Sequence, residues 1–386
     1  MLQLRGKTQN FRVSFDGRKI FRVYENPNIP DPLKNKAAFL GEGQRNSADA
    51  NDPGIYLGMG SIDGTNLVGD FFELPAFIDY LAANDIISIS DQGDIWVLFR
   101  AQSKYNTFLL TERCNHLCLM CSQPPKKKDD SWLIDQTLET IDLIPKDTVR
   151  MGFSGGEPTL YGSGLIHLVE RCKSALPYTK IDILSNGRAF ADPSYCRELQ
   201  EVDHKNCMIC IPLYSHVPEI HNYVVQADKA FDETVEGILN LKAVGQPVEI
   251  RIVLHKQTIG TLEETCHFIA QNLLFVDHVA LMGLEITGFT RANMDDLWID
   301  PYEYKDALSS AVQILNGSRI NTSVYNHQLC TINEDTLGNY AHSISDWKNE
   351  YLEVCDGCSR KSSCGGFFSS AIQYKHSDHI HPFTDA

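Results

Sequence analysis

No stretch of this 386-residue chain approaches the roughly 20 consecutive apolar residues that a membrane-spanning helix requires. Its opening residues, MLQLRGKTQNFRVSF, also lack the apolar core of a secretory signal. The chain is therefore expected in the cytoplasm, with no membrane partner. Positive charge is scarce as well: the formal net charge is -16, and the one basic run, Lys126 to Lys128, is followed at once by Asp129 and Asp130. Tracking a phosphate backbone takes clustered Lys and Arg, which argues against a nucleic-acid partner. The run reads as a solvated loop. Cysteine, by contrast, is plentiful at twelve. In a small secreted domain these would be disulfides, but in a cytosolic chain of this size clustered thiols more often bind metal or do redox work. A composition of 43% hydrophobic and 22% charged residues is globular, enough for one large domain and one or two smaller ones.

The chain divides into three. Residues 1–100 read as β-rich, with short segments punctuated by clusters such as NPNIPDP and DPGIYLGMGSIDG, and with IISISDQGDIWVLFR as a hairpin. From Tyr105 six apolar strand patterns (YNTFLL, TVRMGF, KIDILS, CMICIPLY, VEIRIVL and HVALMGLEI) alternate with amphipathic helical ones. That alternation predicts parallel β/α units over residues 101–319, in a doubly wound sheet or a complete or partial barrel. Ligands in either gather where strands end. Residues 320–386 form a small cysteine-rich module.

CNHLCLMC, which follows the first of these strands, sets Cys114, Cys118 and Cys121 at C-x3-C-x2-C. Free cysteine is often buried and inert. Three thiols in eight residues, beside Asn115, Ser122 and Pro124, are better explained by metal. Two sites remain open: a closed zinc with His116 as fourth ligand, or an iron-sulfur cluster of four irons with one iron left free for a substrate or cofactor. Elsewhere Cys207 and Cys210 point to opposite faces of a strand and cannot chelate together, while Cys172, Cys196 and Cys266 sit in helical patterns as core residues. His255, His267 and His278 are scattered and read as ordinary structural histidines.

The triplet after the first strand of a β/α array resembles the signature of the radical S-adenosylmethionine (SAM) superfamily. The resemblance implies a partial (β/α)6 TIM-like barrel, a 4Fe-4S cluster whose open iron chelates SAM, and reductive cleavage of SAM to a 5'-deoxyadenosyl radical. MGFSGGEPTLYG after strand two is similar to the family's Gly-Gly-Glu-Pro motif, which implies that Gly155, Gly156, Glu157 and Pro158 accept the methionine amino group. ILSNG resembles a ribose-contacting segment, carrying Ser185 and Asn186, and IPLYSHVPEIHN a further edge carrying Ser215. Arg251 is a candidate partner for the cofactor carboxylate, or an ordinary strand arginine at a surface edge. The family usually has an aromatic residue before the third cysteine; Met120 stands there and is expected to pack against adenine instead.

In the tail, CDGCSRKSSCGGFF places Cys355, Cys358 and Cys364 at C-x2-C-x5-C before Gly-Gly, which resembles the SPASM or twitch module of peptide-modifying radical enzymes. With Cys330 they make four ligands, enough to saturate one auxiliary 4Fe-4S cluster or a structural zinc knuckle. LTERCN, CSQPP, LEITGFTRANMDDLWIDPYEY, YNHQLC, SISDWKNEYLEVC and CGGFFSS together resemble the HxsC family of maturases from the His-Xaa-Ser peptide-modification system. That implies a ribosomally made precursor peptide with His-Xaa-Ser repeats as substrate and a second radical SAM protein, HxsB, as partner. The N-terminal domain would be a docking site for peptide or partner, since sheet edges take up extended chains. A radical SAM enzyme acting on a small molecule and a non-catalytic cluster-binding subunit of the maturase pair are the alternatives. No residue is assigned as catalytic acid or base.

Overall fold

The computed structural model describes residues 3–41, 54–59, 69–342 and 349–384. Parts of two stretches singled out in the sequence, DPGIYLGMGSIDG and SISDWKNEYLEVC, lie outside the described residues.

The N-terminal sheet has eight strands: β1 (Arg5–Lys7), β2 (Phe11–Arg12), β3 (Arg18–Tyr24), β4 (Ala37–Gly41), β5 (Ile55–Met59), β6 (Phe71–Leu74), β7 (Ile86–Ser90) and β8 (Asp94–Phe99). Their order is β1-β8-β7-β3-β4-β5-β6-β2, so the two edge strands are consecutive in sequence. The backbone between them bonds both ways: Thr8 N–H donates to the Gly93 carbonyl at 2.8 Å, and Glu73 N–H to the Asn10 carbonyl at 2.7 Å. One segment thereby closes the sheet on itself around Phe21, Val23, Ile55, Leu57, Phe72 and Ile95.

The second sheet is built from β9 (Asn106–Thr111), β10 (Arg150–Gly155), β11 (Lys180–Leu184), β12 (Cys207–Pro212), β13 (Val248–Leu254), β14 (His278–Gly283) and β15 (Thr322–Tyr325). All neighbours are parallel and in sequence order, β9 through β15. A doubly wound sheet would reverse its order at a switch point. Continuous order gives an α/β half-barrel with a curled, open sheet. The seventh strand, β15, comes from the part of the sequence read as a separate module; it joins the core by pairing with β14, a contact no local pattern reveals.

Helices α1 (Trp132–Ile141), α2 (Ser163–Ala175), α3 (Pro193–Val202), α4 (Pro218–Val225), α5 (Ala230–Ala243), α6 (Leu262–Asn272) and α7 (Lys305–Gly317) provide the crossovers. Cys172, Cys196 and Cys266 are buried in α2, α3 and α6. Facing these helices, alternate strand residues such as Met151, Phe153, Ile181, Ile183, Ile209, Ile250 and Ile252 form one core. The residues between them, Asp182, Cys210, Glu249, Arg251 and His278, alternate onto the concave face. The strands are thus half apolar rather than apolar throughout, because an open sheet leaves one face uncovered by helices. Among the described residues no helix is long and apolar enough to cross a membrane.

Candidate functional site

The triplet loop leaves β9 at Thr111 and is fixed from three sides. Leu117 and Leu119 donate their N–H groups to the carbonyls of Val225 (3.1 Å) and Val224 (2.9 Å), at the end of α4. On the opposite flank, Phe289 N–H reaches the Cys121 carbonyl at 2.8 Å, and Asn293 Nδ2 the Leu119 carbonyl at 2.8 Å. Gly288 makes that approach possible: at φ +54° it lies so close that a Cβ would stand 2.2 Å from the Cys121 carbonyl oxygen. The third side is the end of β10. A Cβ on Gly156 would meet the Arg113 carbonyl at 2.0 Å, so only glycine lets the two loops touch.

Glu157 then ties the strand ends together. Its fully buried carboxylate accepts from Thr159 N–H (3.0 Å), Thr159 Oγ1 (2.7 Å) and Ser185 Oγ (2.8 Å) on Oε1, and from Asn186 N–H (2.6 Å) on Oε2. Burial raises its pKa, while these donors pull it back down. Asn186 Nδ2 donates in turn to Asn115 Oδ1 at 2.6 Å, inside the triplet loop. Loops after three successive strands are thus joined by one chain of hydrogen bonds. Neither Asn115 nor Thr159 carries a signal of its own in the sequence beyond lying beside the triplet and the Gly-Gly-Glu-Pro run.

The thiols act on one another. Burial is the largest cause pushing Cys114 up to about 11, with Glu157 and Cys121 adding to it, and Cys118 is raised by burial, then by Cys114 and Cys121. Three such thiolates near a buried carboxylate are costly without a cation, which fits a site built to hold a positively charged iron-sulfur core. His116 lies between these thiols in the loop. Its ring is buried with both nitrogens unbonded among the described residues, and burial, Arg188 and His221 hold its pKa near 3. The backbone N–H of His116 donates to Cys114 Sγ at 3.4 Å.

Residues 108–269 match the family model described as the Radical SAM superfamily. It is this stretch, under half of the chain, that is similar to the family. Members of that family bind SAM and a 4Fe-4S cluster. Among curated proteins, molybdenum cofactor biosynthesis protein moc-5 of Caenorhabditis elegans is 29% identical over 112 residues, which cover 28% of this chain and 18% of that protein. The chain thus spans less than a fifth of this relative. Among solved structures, Streptococcus suis SuiB bound to S-adenosylmethionine is similar with TM-score 0.47 and 16% identity over 57% of this chain and 50% of that one. AnSMEcpe with bound AdoMet is similar with TM-score 0.44 and 17% identity over 56% of this chain and 62% of that one.

Other candidate residues are placed less directly. Met120 is buried against Tyr214, Val224 and Leu297 beneath the triplet loop. Tyr214 was not singled out by sequence, yet burial and then all three thiols raise its pKa. Ser215 is fully buried, its Oγ 2.9 Å from Thr261 Oγ1 and accepting from Val217 N–H, which is a turn bond at the start of α4. Arg251 is at no surface edge. It lies in the concavity with its Nε 2.5 Å from Glu249 Oε1, while Glu249 Oε2 is 2.8 Å from His278 Nδ1. Burial opposes ionisation of Glu249, but the His278 hydrogen bond and the Arg251 charge outweigh it and hold the carboxyl near 2.

Cys330, Cys355, Cys358 and Cys364 all line one cavity of about 350 Å³, counted with its open mouth. Gln328, beside Cys330, donates to the Gly366 carbonyl at 2.8 Å, and Tyr351 OH to the Cys364 carbonyl at 2.6 Å. Burial raises the Cys330 thiol, and Cys364 and Cys355 raise it further. No His, Cys, Asp or Glu group among the described residues is drawn together tightly enough for a single metal ion.

Proposed function

We propose that this chain is a radical SAM maturase of a ribosomally made peptide carrying His-Xaa-Ser repeats, working with HxsB. The observation that carries the radical chemistry is the hydrogen-bond chain from Glu157 through Asn186 to Asn115, which fixes Cys114, Cys118 and Cys121 at the mouth of the half-barrel. Those three thiols would hold a 4Fe-4S cluster with one open iron. When bound, that cluster supplies the electron that cleaves SAM to a 5'-deoxyadenosyl radical.

The chain's own residues supply position and charge. Gly155, Gly156, Glu157 and Pro158 would hold the cofactor's methionine, and Ser185 and Asn186 its ribose. Glu157 Oε1 and Oε2 are already engaged, so its first task is to hold these strand ends rigid. Arg251 and Ser215 belong to the floor and the supporting turn, and Met120 packs beneath the loop. Cys330, Cys355, Cys358 and Cys364 would saturate an auxiliary 4Fe-4S cluster, with zinc the alternative. A peptide substrate is supported by the SPASM-like tail and the HxsC-like stretches, and peptide or partner docking by the N-terminal domain.

The test is anaerobic reconstitution, with iron and sulfide counted and SAM plus a reductant added. About eight irons with 5'-deoxyadenosine released is expected, four per cube. About four irons with cleavage moves the tail to zinc. No cleavage at all overturns the enzymatic reading in favour of a cluster-binding subunit.

A further inference from the structure

One wall of the cavity holding the four C-terminal thiols is a segment with no part in the chemistry above. Ile380, His381 and Phe383 line that cavity together with Cys330, Cys355, Cys358 and Cys364. The segment meets the sulfur atoms through its backbone. Phe383 N–H donates to Cys358 Sγ at 3.4 Å. Burial raises the Cys330 pKa, and a hydrogen bond from the His381 backbone lowers it again. One short run thus reaches both halves of the gathered site: Cys330, which follows β15, and Cys358, which lies in the tail loop.

The run is anchored at both ends. On the side of the core, Asp378 N–H donates to Asp300 Oδ2 at 3.2 Å, and the His379 ring stacks on Tyr302 with centroids 4.0 Å apart. At the other end the Phe383 carbonyl accepts from Ser359 N–H at 3.0 Å and from Ser359 Oγ at 3.2 Å. The Arg360 guanidinium lies 4.2 Å from the centroid of the Phe383 ring. Ser359 and Arg360 directly follow Cys358, so the contacts that hold Phe383 also hold its N–H against that thiol. An N–H aimed at a thiolate is a charge-assisted hydrogen bond. It grows stronger as negative charge builds on the sulfur, so it favours the reduced form of an iron-sulfur cluster.

We propose that residues 379–383 form a strap across the C-terminal site that raises the reduction potential of the cluster bound there, through the backbone N–H groups of His381 and Phe383. The proposal rests on the reading of Cys330, Cys355, Cys358 and Cys364 as ligands of a 4Fe-4S cluster. His381 and Phe383 are positioning residues in this account: they act on the thiolates rather than on a substrate, as groups around metal ligands commonly do.

The test is a potentiometric titration of the reconstituted full chain carrying Cys118→Ala, so that the remaining iron belongs to the C-terminal site. Dithionite gives up one electron, the site takes it up with no atoms moved, and electron paramagnetic resonance reads the reduced form. Phe383→Pro removes the N–H and the ring, whereas Phe383→Ala removes the ring alone, so the difference between them isolates the hydrogen bond. The midpoint of the Pro variant is expected below that of the Ala variant by about tenfold in the reduction equilibrium, or about 59 mV for one electron. Equal midpoints with iron retained overturn the strap. Should Phe383→Pro lose its iron, Ser359→Ala decides: it takes one of the two bonds from the Phe383 carbonyl, a smaller fall in midpoint is expected, and an unchanged midpoint overturns the strap. The cluster reading fails separately, since zinc in place of iron in the Cys118→Ala chain overturns it before any strap variant is made.

Discussion

The two cysteine sites are assembled in opposite ways. Cys114, Cys118 and Cys121 come from a single eight-residue loop, and the rest of the fold is spent on bracing that loop from α4, from the segment at Gly288 and from the end of β10. Cys330 lies 25 residues from Cys355, and the C-terminal cavity exists only because β15 carries Cys330's segment onto the core sheet. In the proposed reading a local loop with three thiols would leave a coordination position free, and a gathered site with four would leave none. The difference teaches that an open metal site needs outside support, since its ligands alone do not close a shell, whereas a closed one is held by the metal itself.

The sharpest way to break the comparison is to remove one thiol from each side. Cys118→Ala is expected to abolish SAM cleavage and to remove about four of about eight irons. Cys364→Ala should lose a similar share of iron yet retain cleavage, as measured by 5'-deoxyadenosine release. If both variants lost cleavage equally, the two sites would not be separable in function.

The floor under the first site is the next lever. Arg251→Leu leaves Glu249 buried with His278 alone, and urea unfolding should show a loss of about 3–5 kcal/mol. Bracing is tested more gently by Gly156→Ala, whose added Cβ forces the loop after β10 away from Arg113. A loss of about 1–3 kcal/mol is expected, with iron lost from the triplet site and kept at the C-terminal one. Acid gives the smallest effect. Because the folded Glu249 carboxyl is held near 2, its contribution to stability is present above the ordinary glutamate range and is lost as pH falls toward 2. Glu249→Gln should flatten that part of the stability profile, read by denaturant midpoints across the acid range.

Much of this architecture is written locally. The six strand patterns from YNTFLL to HVALMGLEI and the helices between them lie where apolar periodicity puts them, because each element's burial repeats along its own sequence. IISISDQGDIWVLFR forms the β7–β8 hairpin for the same reason. The spacing of the triplet and the glycines of Gly-Gly-Glu-Pro are equally local, and the fold brings them together because parallel strands in sequence order put successive loops side by side.

What the sequence by itself determined, then, is the alternation of elements, the thiol spacing and the glycines at which one backbone passes another. Contacts between residues far apart were decided only by the tertiary structure. These include the backbone bonds from the segment between β1 and β2 to both sides of its sheet, the seventh strand β15, and the bonds from Asn186 to Asn115 and from Arg251 to Glu249. The reason is physical: periodicity reports which face of an element is buried, but not which distant side chain it is buried against, and hydrogen bonds and ion pairs depend on that second fact.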